Sequence, residues 1–187
     1  VPFTVDERVI VPRSLIAECI AEASIDPWLG EHTQRVLDLC TGNGSLAVLA
    51  AMAWPEVHVD AADLSADALA VARLNIERHD MGERITLLQG DGLAAVADKR
   101  YDLILCNPPY VNSESMAALP AEYRAEPQLA LAGGADGRDF IPALLYSPAQ
   151  HMTDHALPAL PHDQRVDVQF LDPALFGHQL AEADEQL

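Results

Sequence analysis

Hydrophobic and polar positions follow two different periods along the chain, and their order predicts an α/β fold. Short apolar runs bounded by polar residues are typical of buried strands. Such runs lie at residues 35–40, 57–62, 84–89 and 101–106. Apolar residues at helical spacing predict helices at residues 14–21, 45–54 and 65–79. Because strands alternate with helices, we expect a doubly wound, mostly parallel sheet that is covered on both faces.

The C-terminal part of the chain fits this pattern less well. Prolines recur there, at Pro142, Pro148, Pro158, Pro161 and Pro173. Because proline cannot donate a hydrogen bond to a strand ladder, this density opposes central strands. Residues 149–155 are typical of a helix end that precedes a strand, whereas residues 156–160 are a weak strand candidate.

Composition and charge narrow the class of protein. The chain has 187 residues, 50% of them hydrophobic, which is enough for one sizeable core. No apolar stretch is long enough for a membrane-spanning helix, so we expect no membrane partner. Cys19, Cys40 and Cys106 are few, odd in number and widely spaced, which argues against a disulfide framework and fits a reducing cytoplasm.

The net charge of −18 bears on the choice of partner. Such a surface repels phosphate backbones, so we expect no direct binding of nucleic acid. It would attract a basic protein. The acidity could equally serve only to keep the chain soluble.

A glycine-rich turn follows the first predicted strand. Gly42 and Gly44 let the backbone approach a ligand closely, and the N–H groups that open the next helix offer donors. The turn would also suit a dinucleotide pyrophosphate. Asp63, at the end of the second strand, could accept both hydroxyls of a ribose, or could be only a helix N-terminal charge beside Ser65. Asp91, at the end of the third strand, could accept from an adenine amine.

The fourth predicted strand ends in the tetrapeptide Asn107-Pro108-Pro109-Tyr110. Successive prolines fix φ, remove two backbone donors and extend the residue before each of them. The side-chain oxygen of Asn107 and the carbonyl of Pro108 could then each accept one hydrogen of a planar NH2 group, with Tyr110 against its flat face. A rigid turn without a ligand is the alternative.

These residues together resemble the HemK-type family, which methylates the side-chain amide of glutamine in translation proteins. The residues that carry the resemblance are 38–44, Asp63, Asp91 and 107–110. Residues 5–14 and 119–134 are similar to the PrmB-type branch, which acts on the third protein of the large ribosomal subunit. The release-factor branch usually continues the Pro-Arg of the first stretch with Pro-Asp-Thr-Glu, which is lacking here. The match covers roughly residues 3–140.

The resemblance implies a Rossmann-like class I methyltransferase that uses S-adenosylmethionine and releases S-adenosylhomocysteine. The implied substrate is an exposed glutamine of a basic protein of the large ribosomal subunit, methylated in the cytoplasm. The implied cofactor-binding residues are Asp38, Cys40, Thr41, Gly42, Asn43, Gly44, Asp63, Asp91, Gly92 and Asn107. The implied catalytic residues are Asn107, Pro108, Pro109 and Tyr110.

The chain departs from the family pattern in three places. A bulky residue often stands where this chain has Gly92, so one adenine contact is expected to be missing or to come from the backbone. The family's small N-terminal helical domain is not expected among these residues. We expect an entry segment and linker helix at 1–34 and the catalytic domain at 35–187, with 141–187 as a poorly matching tail.

Other functions stay open at this stage. A release-factor glutamine methyltransferase and an adenine-directed DNA or RNA methyltransferase would use a similar tetrapeptide. A nicotinamide dehydrogenase would explain the glycines and Asp63, but it would leave the tetrapeptide without a function. The non-enzyme alternative is an adenosine-binding module in ribosome assembly. His151 and His155 have the spacing of a helical metal pair, but no third ligand is obvious, and we expect no metal.

Overall fold

A parallel sheet of four strands organises the molecule. The computed structural model describes residues 1–120, 123–146 and 148–153. The strands are β1 (Arg35–Leu39), β2 (His58–Asp63), β3 (Ile85–Gln89) and β4 (Leu103–Cys106), in the order β3-β2-β1-β4. The helices are α1 (Leu15–Ala21), α2 (Ser45–Ala53), α3 (Ala66–Arg78), α4 (Ser113–Ala117), α5 (Gln128–Leu131), α6 (Ile141–Tyr146) and α7 (Pro148–His151). This arrangement confirms the predicted Rossmann-like α/β fold.

The strand register brings the predicted site residues to one edge of the sheet. Leu39, the last residue of β1, pairs with Ala62 of β2 and with Cys106 of β4. Asp63 pairs with Gln89 in the same way. Because all the pairs are parallel, the loops after β1, β2, β3 and β4 leave from the same edge. That edge is the place where open α/β sheets bind ligands.

Alternate side chains of each strand enter two hydrophobic clusters, one on each face of the sheet. Val36 of β1 joins the cluster that contains α2, Trp54 and Ile20 of α1. Leu37 joins the other cluster, with Val96, Tyr101 and Leu144 of α6. Successive side chains of a strand point to opposite faces of the sheet, so neighbouring residues of β1 enter different clusters. The sheet is therefore rigid and covered on both sides.

The strands start and end close to their predicted positions, and the shifts have local causes. β2 begins one residue late, because the Val57 N–H bonds to Trp54 O in a turn, at 3.2 Å. β4 begins at Leu103 because one carboxylate oxygen of Asp102 accepts from the backbone N–H groups of Gln34 and Arg35, each at 2.9 Å. That contact fastens the start of β4 to the start of β1.

The segment before the tail is helical for a shorter distance than predicted. α7 ends at His151, because Met152 forms a parallel bridge with Tyr101. Pro142 and Pro148 lie in the first turns of α6 and α7, where proline is tolerated. His155 and the weak strand candidate at 156–160 lie outside the described residues. No helix in the described part of the chain is long and apolar enough to cross a membrane.

Asp60 anchors a buried polar cluster in the middle of the sheet. Its side chain accepts from the Tyr101 hydroxyl at 2.7 Å and from the Lys99 ammonium at 2.8 Å. Asp60 is 2% exposed, and burial together with the bond to Asp60 raises the pKa of Tyr101 well above its ordinary value. The cluster ties β2 to the segment that leads into β4. Its role is in stability, since it lies away from the edge that carries the predicted site.

We expect Asp60→Ala to lower the free energy of unfolding by about 3 kcal/mol, because it leaves the Tyr101 hydroxyl buried without an acceptor. Urea unfolding monitored by circular dichroism would measure the loss. Glu56→Ala, which removes an exposed carboxylate, is the control and should change stability by less than about 0.5 kcal/mol. Equal effects of the two substitutions would contradict this account.

Candidate active site

The turn between β1 and α2 is shaped by a buried carboxylate. Asp38 is fully buried, and one of its oxygens accepts from the Thr41 hydroxyl and from the Ala47 N–H, the latter at 3.0 Å. Gly42 and Gly44 take φ values of +56° and +77°, which glycine adopts without strain. A Cβ on Gly44 would also lie 3.0 Å from Ala72 Cβ of α3. The turn therefore needs glycine at position 44 for two separate reasons.

Asp63 lies against this turn, as its position in the sequence predicted. One carboxylate oxygen accepts from the Gly42 N–H at 2.8 Å, and the other accepts from the Ser65 N–H at 2.9 Å. The bond to Ser65 is the local helix-end contact that was the alternative interpretation. Each carboxylate oxygen retains further acceptor capacity, so the two interpretations are compatible.

The N-terminal segment is tied to the same turn through α3. The Asn75 side chain accepts from the Thr4 N–H at 2.7 Å and donates to Thr4 O at 3.0 Å. It also donates to the backbone oxygen of Asn43 at 2.8 Å. Asn75 is wholly buried on the apolar face of α3. A polar residue at an apolar position was a signal for this role that the sequence interpretation did not use.

The tetrapeptide leaves β4 at the same edge and rests on a second glycine loop. A Cβ on Gly133 would lie 2.7 Å from the Cα of Tyr110 and 2.9 Å from Pro109 O. A Cβ on Gly137 would collide with the backbone oxygen of Tyr110. The Gly133 N–H donates to Val111 O at 2.8 Å. This glycine loop supports the backbone of the tetrapeptide from behind.

One cavity brings most of the predicted site residues together. It is lined by Cys40, Thr41, Gly42, Asn43, Asp63, Asp91, Gly92, Asn107 and Pro109. The other predicted residues are not part of its wall: Asp38 lies buried below the turn, Gly44 caps α2, Pro108 is buried, and Tyr110 is 38% exposed. The glycine turn, the acidic strand ends and the asparagine therefore share one space.

Gly92 has an aromatic neighbour that was not foreseen. Its φ is +53°, and a Cβ there would lie 3.3 Å from Cε2 of Phe140. Phe140 follows the second glycine loop, packs beside the core of the sheet and lines the same cavity. An apolar wall thus stands beside Asp91 although position 92 has no side chain. Sequence pattern gave no signal for it, because Phe140 comes from a segment without clear periodicity.

The two cysteines at the strand ends contact each other. Cys40 has a φ of +60°, and the parallel neighbours β1 and β4 bring it beside Cys106. A hydrogen bond with Cys40, together with burial, raises the pKa of the Cys106 thiol well above its ordinary value. Such a thiol stays protonated at neutral pH and is a poor nucleophile. The described residues contain no group of His, Cys, Asp and Glu arranged to hold a metal, and His155 lies outside them.

Electrostatically, Asp38 is the most perturbed acid of the cavity region. Burial raises its pKa to about 7, against the lowering effect of the bonds from Thr41 and Ala47. Its Oδ1 is buried and has no hydrogen-bond partner among the described residues. A buried acid with an unused acceptor next to a cavity is suited to a cationic ligand.

The fold is that of a Rossmann-like class I methyltransferase, and the site lies at the edge where such sheets bind ligands. The crystal structure of the hMettl16 catalytic domain in complex with the MAT2A 3′UTR hairpin 1 has the same fold, with a TM-score of 0.62, 17% identity and coverage of 80% of this chain and 57% of that one. The family model of the methyltransferase small domain matches residues 15–123. The chain belongs to that family.

Similar sequences carry a more specific name. A ribosomal protein uL3 glutamine methyltransferase of Bordetella pertussis is 54% identical over 145 residues, which cover 76% of this chain and 48% of the relative. Relatives of the same name from Bradyrhizobium diazoefficiens and Neisseria gonorrhoeae are 50% and 48% identical, over 81% and 80% of this chain. The chain spans about half the length of these curated relatives.

The raised pKa of Asp38 implies that the free energy of unfolding depends on pH. The folded state holds a proton between the ordinary pKa of 3.8 and the raised value of about 7, whereas the unfolded state releases it. Stability from this group is therefore lost as the pH rises through that window. Relative to Asp38→Asn, which cannot ionise, the wild-type protein should lose about 2 to 3 kcal/mol between pH 5 and pH 8.

Chemical denaturation of both proteins at several pH values would measure this difference. The comparison with Asp38→Asn removes the pH dependence that comes from the other titrating groups, since the two proteins share all of them. Parallel stability curves for the two proteins would show that Asp38 is ionised throughout.

Proposed function

We propose that this chain forms the site of an S-adenosylmethionine-dependent enzyme that methylates the side-chain amide nitrogen of a glutamine in ribosomal protein uL3. The observation that carries the proposal is the shared cavity, in which Asn107 and Pro109 face the glycine turn and Asp63. The reaction requires such a juxtaposition of an amide-binding group and a methyl donor site. The choice of uL3 rests on the names of the relatives.

The cavity fits S-adenosylmethionine, which supplies an electrophilic methyl group on a positively charged sulfur when it is bound. Asp63 and Asp91 along the edge give the region the negative charge that suits this cation, and Oδ1 of buried Asp38 below the turn is an acceptor without a partner among the described residues. Asp63 would hold the ribose, and Asp91 with Gly92 the adenine. Phe140 would supply an apolar contact beside them. The open space at Gly42 lets the backbone of the turn approach the ligand.

Asn107 and Pro108 would hold the glutamine amide. An amide nitrogen is a poor nucleophile, because its lone pair is delocalised into the carbonyl. The side-chain oxygen of Asn107, which lines the cavity, would accept one of its hydrogens and aim the nitrogen at the methyl group; acceptance of the other hydrogen by the carbonyl of Pro108, which lies outside the cavity wall, stays a prediction. Positioning and electrostatics then carry most of the catalysis. The proton leaves to solvent after transfer, so no side chain needs to act as a strong base.

Transfer of a labelled methyl group decides between the candidate substrates. The intact protein would be incubated with labelled S-adenosylmethionine and, separately, isolated uL3, a release factor, and single-stranded and duplex DNA and RNA. We expect label in uL3, on glutamine. Label in the release factor alone would assign the other branch of the family, and label in nucleic acid would assign an adenine methyltransferase. Tight cofactor binding without any transfer would favour a non-enzyme module.

Asn107→Ala should lower turnover on uL3 by a factor on the order of 100 or more, because it removes an acceptor that acts on the reacting amide. Cofactor affinity, measured by isothermal titration, should change little. Asn112→Ala is the matched control: Asn112 follows the tetrapeptide closely, but its side chain only caps α4 by accepting from the Ser115 N–H at 2.8 Å. If Asn107→Ala retains near-normal transfer, the tetrapeptide is only a turn.

A further inference from the structure

Four residues cross the edge of the cavity between two anchored points. Before them, Val9 is 3% exposed and packs with Ala68 and Val71 of α3. After them, Ser14 caps α1 by accepting from the Ile16 N–H at 3.2 Å. We call residues 10–13, which lie between these anchors, the rim segment. Pro12 holds the preceding residue in an extended conformation, which keeps the segment stretched.

The rim segment is fastened to the chain that follows the tetrapeptide by one carboxylate. Glu126 accepts from the Val11 N–H at 3.1 Å through one oxygen and from Arg13 Nη2 at 2.5 Å through the other. The Glu126 side chain is only 9% exposed, whereas that of Arg13 is 42% exposed. The Arg13 guanidinium also lies over the ring of Tyr123, with Cζ 4.7 Å from the ring centroid. A nearly buried acid bound at both oxygens is a specific contact, unlike an ordinary surface ion pair.

The two segments that this contact joins both line the cavity of the candidate active site, although Glu126 itself is not part of the wall. From the rim segment, Ile10, Pro12 and Arg13 form part of its wall; from the chain after Glu126, Pro127, Leu129 and Ala130 do so. Their outer sides face solvent, since Val11 is 51% and Leu129 57% exposed. The chain after Glu126 runs beside the end of the tetrapeptide, because the N–H of Val111, the residue after Tyr110, donates to Leu131 O at 2.8 Å. The contact therefore closes the wall of the cavity on the side of Tyr110.

The two sequence stretches that carry the resemblance to the PrmB-type branch meet in this contact. Arg13 and Val11 belong to residues 5–14, and Glu126 and Tyr123 belong to residues 119–134. They are far apart in sequence, and neither stretch holds a residue of the glycine turn or the tetrapeptide. The contact of Glu126 with Val11 and Arg13 therefore joins the two stretches in one structural role.

We propose that Glu126 and Arg13 are positioning residues for the protein substrate: by fastening the rim segment to the chain after the tetrapeptide, they fix the opening through which the glutamine side chain reaches Asn107. This inference rests on the proposed function. It assigns neither residue a contact with the reacting atoms.

The cofactor side of the N-terminal segment is held independently of Glu126. Thr4 is bound to Asn75, and Asn75 to Asn43 of the glycine turn. Val9 is buried against α3. Loss of the Glu126 contact therefore releases residues 10–13 and leaves the turn in place. Substrate binding and cofactor binding should separate in variants of Glu126.

Steady-state methyl transfer by the intact enzyme, with the concentration of uL3 varied, tests the inference. Glu126→Ala should raise KM for uL3 about tenfold and change kcat by less than about threefold, with an unchanged Kd for S-adenosylmethionine. Glu126→Gln should lie between the wild type and Glu126→Ala, because its amide oxygen still accepts from Val11. Arg13→Ala should raise KM as well, and the double variant should be no worse than Glu126→Ala alone.

Controls separate positioning from general electrostatics and from folding. Glu114→Ala removes an exposed carboxylate from α4, so it reports the effect of charge on a basic substrate. Hydrogen exchange at the Val11 N–H should speed up in Glu126→Ala while exchange in β1 stays slow. An unchanged KM in Glu126→Ala, a rise equal to that of Glu114→Ala, or a matching loss of cofactor affinity would overturn the inference. Failure of the wild type to methylate uL3 would instead overturn the proposed function and this inference with it.

Discussion

The buried carboxylate of Asp38 is the constraint on which the site depends. It lies one residue before the end of β1 and accepts from both the Thr41 hydroxyl and the Ala47 N–H, so the turn and the start of α2 share one anchor. Burial disfavours the ionised form of Asp38 and raises its pKa to about 7. The anchor is therefore held by hydrogen bonds more than by charge, because burial favours the neutral form of the acid. Asp63 places a second carboxylate along the edge, held by the N–H of Gly42.

Two kinds of support surround the cavity, and they differ in rigidity. The sheet edge, the glycine turn and Asn75 form a closed network of buried hydrogen bonds. The rim segment is fastened by one carboxylate, the nearly buried Glu126, whose cationic partner Arg13 is 42% exposed. A methyl donor, whose structure does not vary, suits the first kind of support, the network of buried hydrogen bonds. A protein substrate that must enter and leave is better served by the second, since local opening costs less where one partner is exposed to solvent.

Sequence pattern was sufficient for the sheet and for the residues at the strand ends, because both follow from local rules. Apolar runs located β1 to β4 within two residues, and parallel pairing then placed Asp63, Asp91 and Asn107 at one edge. The contacts of Glu126, Asn75 and Phe140 were not foreseen. Each depends on packing between segments that are distant in sequence, and such packing produces no periodic pattern of hydrophobic residues. The predicted roles of Pro108 and Tyr110 in binding the amide stay predictions.

The glycine loop behind the tetrapeptide has a consequence for how this surface can vary. At Gly133 and Gly137 the space for a side chain is taken by main-chain atoms of residues 109 and 110, which no change of rotamer can move aside. Any larger residue there would push the tetrapeptide bodily toward the cavity. Random mutagenesis would accordingly find inactive variants at positions remote from every ligand. These two glycines therefore fix how closely the tetrapeptide can lie against the loop behind it.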